Sequence, residues 1–177
     1  MMEVFPVAIA LKGEAIWLGW VSPEDGHEFF LTEKGVLIFS CDGKSGLLQE
    51  VMKVFPDVQS GVESFFDFDS VAEAAGRGVI LDGNLVLDTW NLLIDVHHTF
   101  GSEGRVFDEY HDVYSRVFSQ SEAAPIVGVQ KVELSASDMA VVREVFDEGF
   151  ELLAHKIRIA KAARAEPSND VAGKQNG

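Results

Sequence analysis

One cysteine in 177 residues excludes an intramolecular disulfide and, with it, the disulfide-stapled secreted scaffold. Cys41 stands between Phe39-Ser40 and Asp42-Gly43 at the end of a candidate strand and reads as an inert, partly buried thiol. A nucleophile needs a histidine partner and a lowered pKa, and the surrounding residues signal neither. Long hydrophobic runs are also missing, since no stretch approaches the roughly 18 uninterrupted apolar residues of a membrane span. The opening Met1-Met2-Glu3-Val4-Phe5-Pro6 carries no basic segment, and the apolar run at 7–11 is too short for a signal peptide. A cytoplasmic protein is expected. The glycines are scattered, without a Gly-x-Gly-x-x-Gly, a P-loop or a Gly-x-Ser-x-Gly elbow, so the phosphate-cradling and nucleophile-elbow readings fall away. No cysteine pair or His-Glu-x-x-His run offers a metal set, and no cofactor is expected.

Positive charge is scarce. Lys and Arg number 14 against 29 Asp and Glu, a formal net charge of −15. The imbalance is uneven along the chain: residues 1–154 hold 27 acidic and 9 basic side chains, whereas 155–177 hold Lys156, Arg158, Lys161, Arg164 and Lys174 against Glu166 and Asp170. A body this acidic repels phosphate backbones and anionic lipid, so neither nucleic acid nor membrane is an expected partner. It attracts a basic protein. The same acidity also serves solubility alone, and charge by itself leaves both readings open.

What remains is an ordinary globular mixture, 47% apolar and 24% charged, long enough for one domain to bury about 70% of its unfolded surface. The first forty residues read as strands, at 4–11, 16–21, 28–32 and 36–40, punctuated by Gly13, Ser22-Pro23-Glu24-Asp25-Gly26 and Glu33-Lys34-Gly35; the last two form a hairpin. Helical spacing then takes over. Leu47, Leu48, Val51, Val54 and Phe55 mark a helix over 45–55 that Pro56 stops. Asp69 is a candidate cap for a short helix at 70–75. Asp82 or Asn84 opens a longer one reaching Phe100, with Gly101 just past its end. That helix is apolar around most of its circumference, which places it at the centre of a core. Val106, Phe107, Tyr110, Val113, Tyr114, Val117 and Phe118 stripe the next helix, and 126–134 reads as an extended piece. Ser135-Ala136-Ser137-Asp138 resembles a capping box ahead of a last helix running to about residue 165. The expected fold is α+β: an N-terminal antiparallel sheet of three to four strands packed against four to five C-terminal helices. One domain spans 1–166, and 167–177 is a disordered tail.

Three groups of residues could carry function. The central helix bears one polar line, Asp88, Asn91, Asp95 and His98, whose spacings of three, four and three put all four on one face. Asp95 and His98 could supply two ligands of a metal site, hold an internal network, or meet a partner. Glu63, Asp67 and Asp69 alternate with Phe65, Phe66 and Phe68, and aromatics beside carboxylates suit a protein interface; a partly buried loop entering the 70–75 helix explains them equally. Asp108, Glu109 and Asp112 form a third acidic patch, which is a docking surface or simply a solvated helix face. His27, His111 and His155 have no evident acid or nucleophile beside them.

Several segments carry a resemblance: Trp17-Leu18-Gly19-Trp20, the 28–40 hairpin, Phe66-Asp67-Phe68-Asp69-Ser70-Val71 and Leu87-Asp88-Thr89-Trp90-Asn91-Leu92-Leu93-Ile94-Asp95. With Tyr114-Ser115-Arg116-Val117-Phe118 and Val145-Phe146-Asp147-Glu148-Gly149-Phe150, they resemble small acidic bacterial immunity-type proteins of polymorphic and contact-dependent toxin systems. The resemblance spans roughly residues 15–155. It implies a non-enzymatic protein that binds and neutralises a cognate toxin domain, often a basic nuclease. A regulatory or scaffold-type interaction module is the alternative expectation, and a metal-dependent enzyme using Asp95 and His98 is the third.

Overall fold

A two-residue hairpin opens the chain. In the computed structural model, which describes residues 2–24, 26–77, 82–101, 110–127 and 132–165, β1 (Glu3–Leu11) pairs antiparallel with β2 (Glu14–Val21), from Phe5 opposite Trp20 to Leu11 opposite Glu14. Both loop residues have positive φ, 55° at Lys12 and 76° at Gly13, the twist that a tight hairpin needs. The strained amides do not go unused: those of Lys12 and Gly13 both donate to the Asp69 carboxylate, at 2.6 and 2.8 Å.

The outer neighbour of β2 comes in two pieces. β3 (Phe29–Phe30) and β6 (Phe39–Ser40) both run antiparallel to it, with Phe30 opposite Trp20 and Phe39 opposite Leu18. Between them β4 (Thr32–Glu33) and β5 (Val36–Leu37) fold outward as a hairpin about Lys34-Gly35. The Ile38 amide closes its neck on the Leu31 carbonyl at 2.9 Å. Helix α1 (Gly43–Val54) follows and ends before Pro56. The chain then returns on the far side of β1 as β7 (Gln59–Ser60) and β8 (Ser64–Asp67), both parallel to β1. The sheet is therefore mixed, not antiparallel throughout as expected, because a helix lies between β6 and β7 and carries the chain back across the sheet. The 63–69 segment, for which a loop was one expectation, provides an edge strand.

Four further helices complete the molecule: α2 (Phe68–Arg77), α3 (Gly83–Phe100), α4 (His111–Val127) and α5 (Ala136–Ala165). The α+β class matches expectation, as does the N-terminal sheet with most helices after it, although α1 precedes β7 and β8. The layering is more specific. Val4, Val21, Leu31 and Ile38 pack with Leu47 and Val51 of α1 in one core, while Val7, Ile9, Ile16 and Leu18 pack with the remaining helices in another. Alternation along β1 and β2 sends successive side chains to the two faces, so α1 covers one face and α2–α5 the other.

Helix termini follow the local sequence closely. Asp82 caps α3 through the amides of Asn84 and Leu85, at 2.9 and 3.3 Å, and Gly101 closes it in the left-handed conformation. Ser135 caps α5 by accepting from the Asp138 amide at 3.1 Å; the Asp138 carboxylate pairs with Arg116 of α4, at 2.6 Å. Two boundaries differ from expectation. Asp67, not Asp69, caps α2, and α4 runs on through Pro125 to Val127, over residues expected to be extended. The tail expected after residue 166 lies outside the described residues. The basic end of α5 is folded back on the acidic body: Lys161 pairs with Glu14, and Arg164 stands 4.1 Å over the Phe39 ring and bonds its carbonyl.

Trp90 of α3 is 1% exposed and meets Tyr114 and Phe146 edge-on, with centroids 5.6 and 6.5 Å apart. α5 packs tightly on α3 at Gly149, where an added Cβ would lie 2.8 Å from both Leu93 methyls and 3.0 Å from its Cβ. Alanine ordinarily favours a helix over glycine by about 1 kcal/mol, but overpacking costs about 1–3 kcal/mol. Gly149→Ala is expected to lose about 1–2 kcal/mol net in urea unfolding. A variant as stable as the parent would show that Leu93 yields freely.

Candidate functional site

The polar line of α3 does not act as one unit. Asp88, Asn91 and His98 are exposed, but Asp95 is 5% exposed. What buries it is the sheet. Trp20 projects from β2 on the face that carries Ile16 and Leu18, and a half-buried indole N–H requires an acceptor. Its Nε1–H donates to Asp95 Oδ2 at 2.9 Å. One turn further on, the Thr99 hydroxyl donates to the Asp95 backbone carbonyl at 2.6 Å and accepts from the Phe30 amide at 2.8 Å. Two side-chain bridges thus clamp the C-terminal half of α3 to β2 and β3.

Beside this clamp the sheet and α3 leave a cleft of about 330 Å³. Val7, Trp20 and Phe66 line the sheet side, Leu92 and Ile94 the helix side, and Glu28, Asp88, Asn91 and Asp95 supply the polar groups. Among the described residues no lysine or arginine lines it. Tyr114 of α4 fixes Asn91 by donating to its side-chain oxygen at 2.9 Å. A second cleft of about 350 Å³ shares Glu28 and is lined by His27, His98, Phe30 and Thr99. There the His27 and His98 rings stack with centroids 4.3 Å apart.

The electrostatics follow from the packing. Burial raises the Asp95 carboxyl to about 6; the Trp20 N–H works against that rise, Glu28 adds to it and His27 opposes it. Burial likewise raises Asp88, with a contribution from Asp82. Burial lowers His98, as does neighbouring His27, against the pull of Glu28. Among the described residues no group of three or more His, Cys, Asp or Glu is disposed to hold a metal ion. Asp95 and His98, offered as two ligands of a metal site, line different clefts.

The acidic–aromatic segment divides by role. Asp67 accepts from the amide and hydroxyl of Ser70, which hold its carboxyl below the usual range. Asp69 binds the β1–β2 loop, and Phe68 is fully buried. These are structural. Glu63 stays on the surface, 3.3 Å from Lys44, and Phe65 is 66% exposed. Asp112 lies exposed in the first turn of α4, while Asp108 and Glu109 lie outside the described residues. Cys41, expected to be partly buried, is exposed. Trp20, His27 and Glu28 are the site residues that sequence reasoning passed over. The available signal was a strand tryptophan needing an acceptor and an acid set in an apolar helix.

No helix among the described residues is long and apolar enough to cross a membrane. Comparison with protein-family models, curated proteins and solved structures finds no match to this chain.

The buried carboxyl sets a testable pH dependence. A carboxyl raised from its ordinary value near 4 to about 6 is protonated longer in the folded state, so its cost to stability grows as pH rises from about 4 to 6 and then levels off. Asp95→Asn keeps an acceptor for Trp20 and removes that cost. The variant is expected to be more stable than the parent at pH 7–8, by up to about 3 kcal/mol. The gap should close as pH falls towards 4. A variant less stable at pH 7 would show that the ionised carboxylate is a net stabiliser.

Proposed function

We propose that this chain is a non-catalytic binding protein that engages and neutralises a basic partner, the toxin domain implied by its resemblance to immunity-type proteins. The observation that carries the reading is the open sheet edge at β8. That strand pairs only with β1 among the described strands, and its outer main-chain groups can accept a further strand. Val62 and Phe65 are 79% and 66% exposed there, with Glu63 between them. Ser64 and Phe66 alternate with Phe65 and line the acidic cleft. A segment laid along β8 therefore meets an aromatic anchor on one face and carboxylates on the other. Aromatic anchors supply affinity and charges steer the encounter. A regulatory or scaffold module would use the same surface with a different partner.

The test is growth rescue and association kinetics with a basic toxin domain sought among the products of the genes adjoining that of this chain. Co-expression should restore growth. The association rate should fall about tenfold or more from low salt to physiological ionic strength, where exposed charges are screened beyond about 8–10 Å. Phe65→Ala, at an exposed site that leaves the core intact, should weaken binding about tenfold through faster dissociation. No rescue, or an association rate indifferent to salt, would overturn the reading.

A further inference from the structure

The cleft between the sheet and α3 has a composition that its place in the fold does not require. Its walls are apolar and aromatic, with Val7, Trp20 and Phe66 facing Leu92. At its base stands Asp95, 95% removed from solvent by its neighbours. One Asp95 oxygen is held by the Trp20 N–H, and the other accepts no hydrogen bond among the described residues. Asp88 and Glu28 line the same space. The seven ion pairs among the described residues all lie elsewhere, so among the described residues no lysine or arginine shares the cleft with these three acids. A buried carboxylate without a counter-charge is costly, and the side chains that relieve it best combine an apolar stem with a cationic head.

We propose that this cleft is the receptor for a single arginine side chain of the partner, its alkyl stem lying between Trp20 and Leu92 and its guanidinium meeting Asp95. The inference rests on the binding-protein reading above and adds the group recognised. Arginine is favoured over lysine because its planar head can stack on an aromatic face while donating to a carboxylate. A space of about 330 Å³ accommodates one such side chain and is at the small end of ligand pockets. Its position fits the docking edge, because Ser64 and Phe66 of β8 form part of the wall. A partner strand added to β8 would carry an alternate side chain directly into the cleft.

Among the described residues the charged and titratable groups around the space are Glu28 from the loop before β3, Asp88 and Asp95 from α3 with Asp82 acting on Asp88, Tyr114 of α4 bonded to Asn91, and the His27–His98 stack beyond Glu28. Protonation of any of these carboxylates or imidazoles disfavours a cation, so affinity should fall as the solution is acidified below about pH 6. The probe is agmatine, an alkyl-guanidinium, titrated into the full chain while the Trp20 indole N–H resonance is followed. Saturable movement of that resonance is expected, weakened at least tenfold by Asp95→Asn and by a smaller factor by Asp88→Asn on the exposed rim. Pentanol, which has a stem and no cation, should leave the resonance in place. The same Asp95→Asn change should weaken the partner at least tenfold, and agmatine should compete with the partner.

Agmatine binding that is absent, or equal in the parent and in Asp95→Asn, overturns the inference. So does agmatine binding accompanied by a partner affinity that Asp95→Asn leaves unchanged. In that last case growth rescue and salt-dependent association still stand, so loss of the arginine receptor is distinguishable from loss of the binding function. His27→Gln with His98→Gln should retain most of the acid sensitivity, because Asp95 is the group in direct contact. If the double variant abolishes it, the stacked histidines and not Asp95 govern the cleft, and the assignment fails.

Discussion

A helix that is apolar on almost every side must be enclosed, and the enclosure of α3 organises this molecule. Van der Waals contact and removal of apolar surface from water are what hold it, and no single element can cover it. The sheet takes one side, α5 crosses at Gly149, and α4 brings Tyr114 to the edge of Trp90. The one acid on the buried side of the helix, Asp95, is admitted because Trp20 supplies an N–H at the right depth. The helix is thus positioned by apolar burial and set in register by two polar bridges, at Asp95 and Thr99.

That arrangement makes structure and site inseparable. The tryptophan that bonds one Asp95 oxygen also forms a wall of the cleft, and β8, which completes the cleft, is an edge strand among the described residues. A buried carboxylate with its pKa near 6 would be a liability in a helix whose only task was to fill a core, since an asparagine could accept the same hydrogen bond without the charge. Its place beside Glu28 and Asp88 gives the acidic surface a local focus. The excess charge spread over the body can steer a basic partner, whereas a dehydrated carboxylate can discriminate among the groups that arrive.

Other acids show how little a residue's charge reveals of its task. Asp67 and Asp69 are two residues apart, yet one caps α2 and the other holds the amides of the β1–β2 loop. Both belonged to an acidic–aromatic run that resembles an interface when read along the chain. Only Glu63 and Phe65 of that run face solvent, because strand alternation and a helix start sort neighbouring residues into different surroundings. The basic stretch at the end of α5 is similar. Lys161 and Arg164 are engaged with Glu14 and Phe39, so part of the positive charge at that end complements this chain's own body.

The sequence by itself determined the features that depend on neighbours within a few residues. The N-terminal strands, the turn at Lys34-Gly35, the apolar character of α3, its start near Asp82 and its Gly101 terminus, and the extent of α5 all follow from periodicity, capping and turn chemistry; that 29–30 and 39–40 would pair with β2 and not with each other did not. The α+β class followed from their order. Tertiary structure decided what depends on residues far apart in the chain. The parallel pairing of β8 with β1 joins segments more than fifty residues apart, and a four-residue strand of mixed burial carries no period that marks it. The Trp20–Asp95 bond, the stacking of His27 on His98 and the position of Glu28 between two clefts are likewise meetings of distant segments. Spacing along a helix can say that Asp88, Asn91, Asp95 and His98 share a face. It cannot say which of them the sheet will cover, because the covering surface and its hydrogen-bond donors come from elsewhere in the chain.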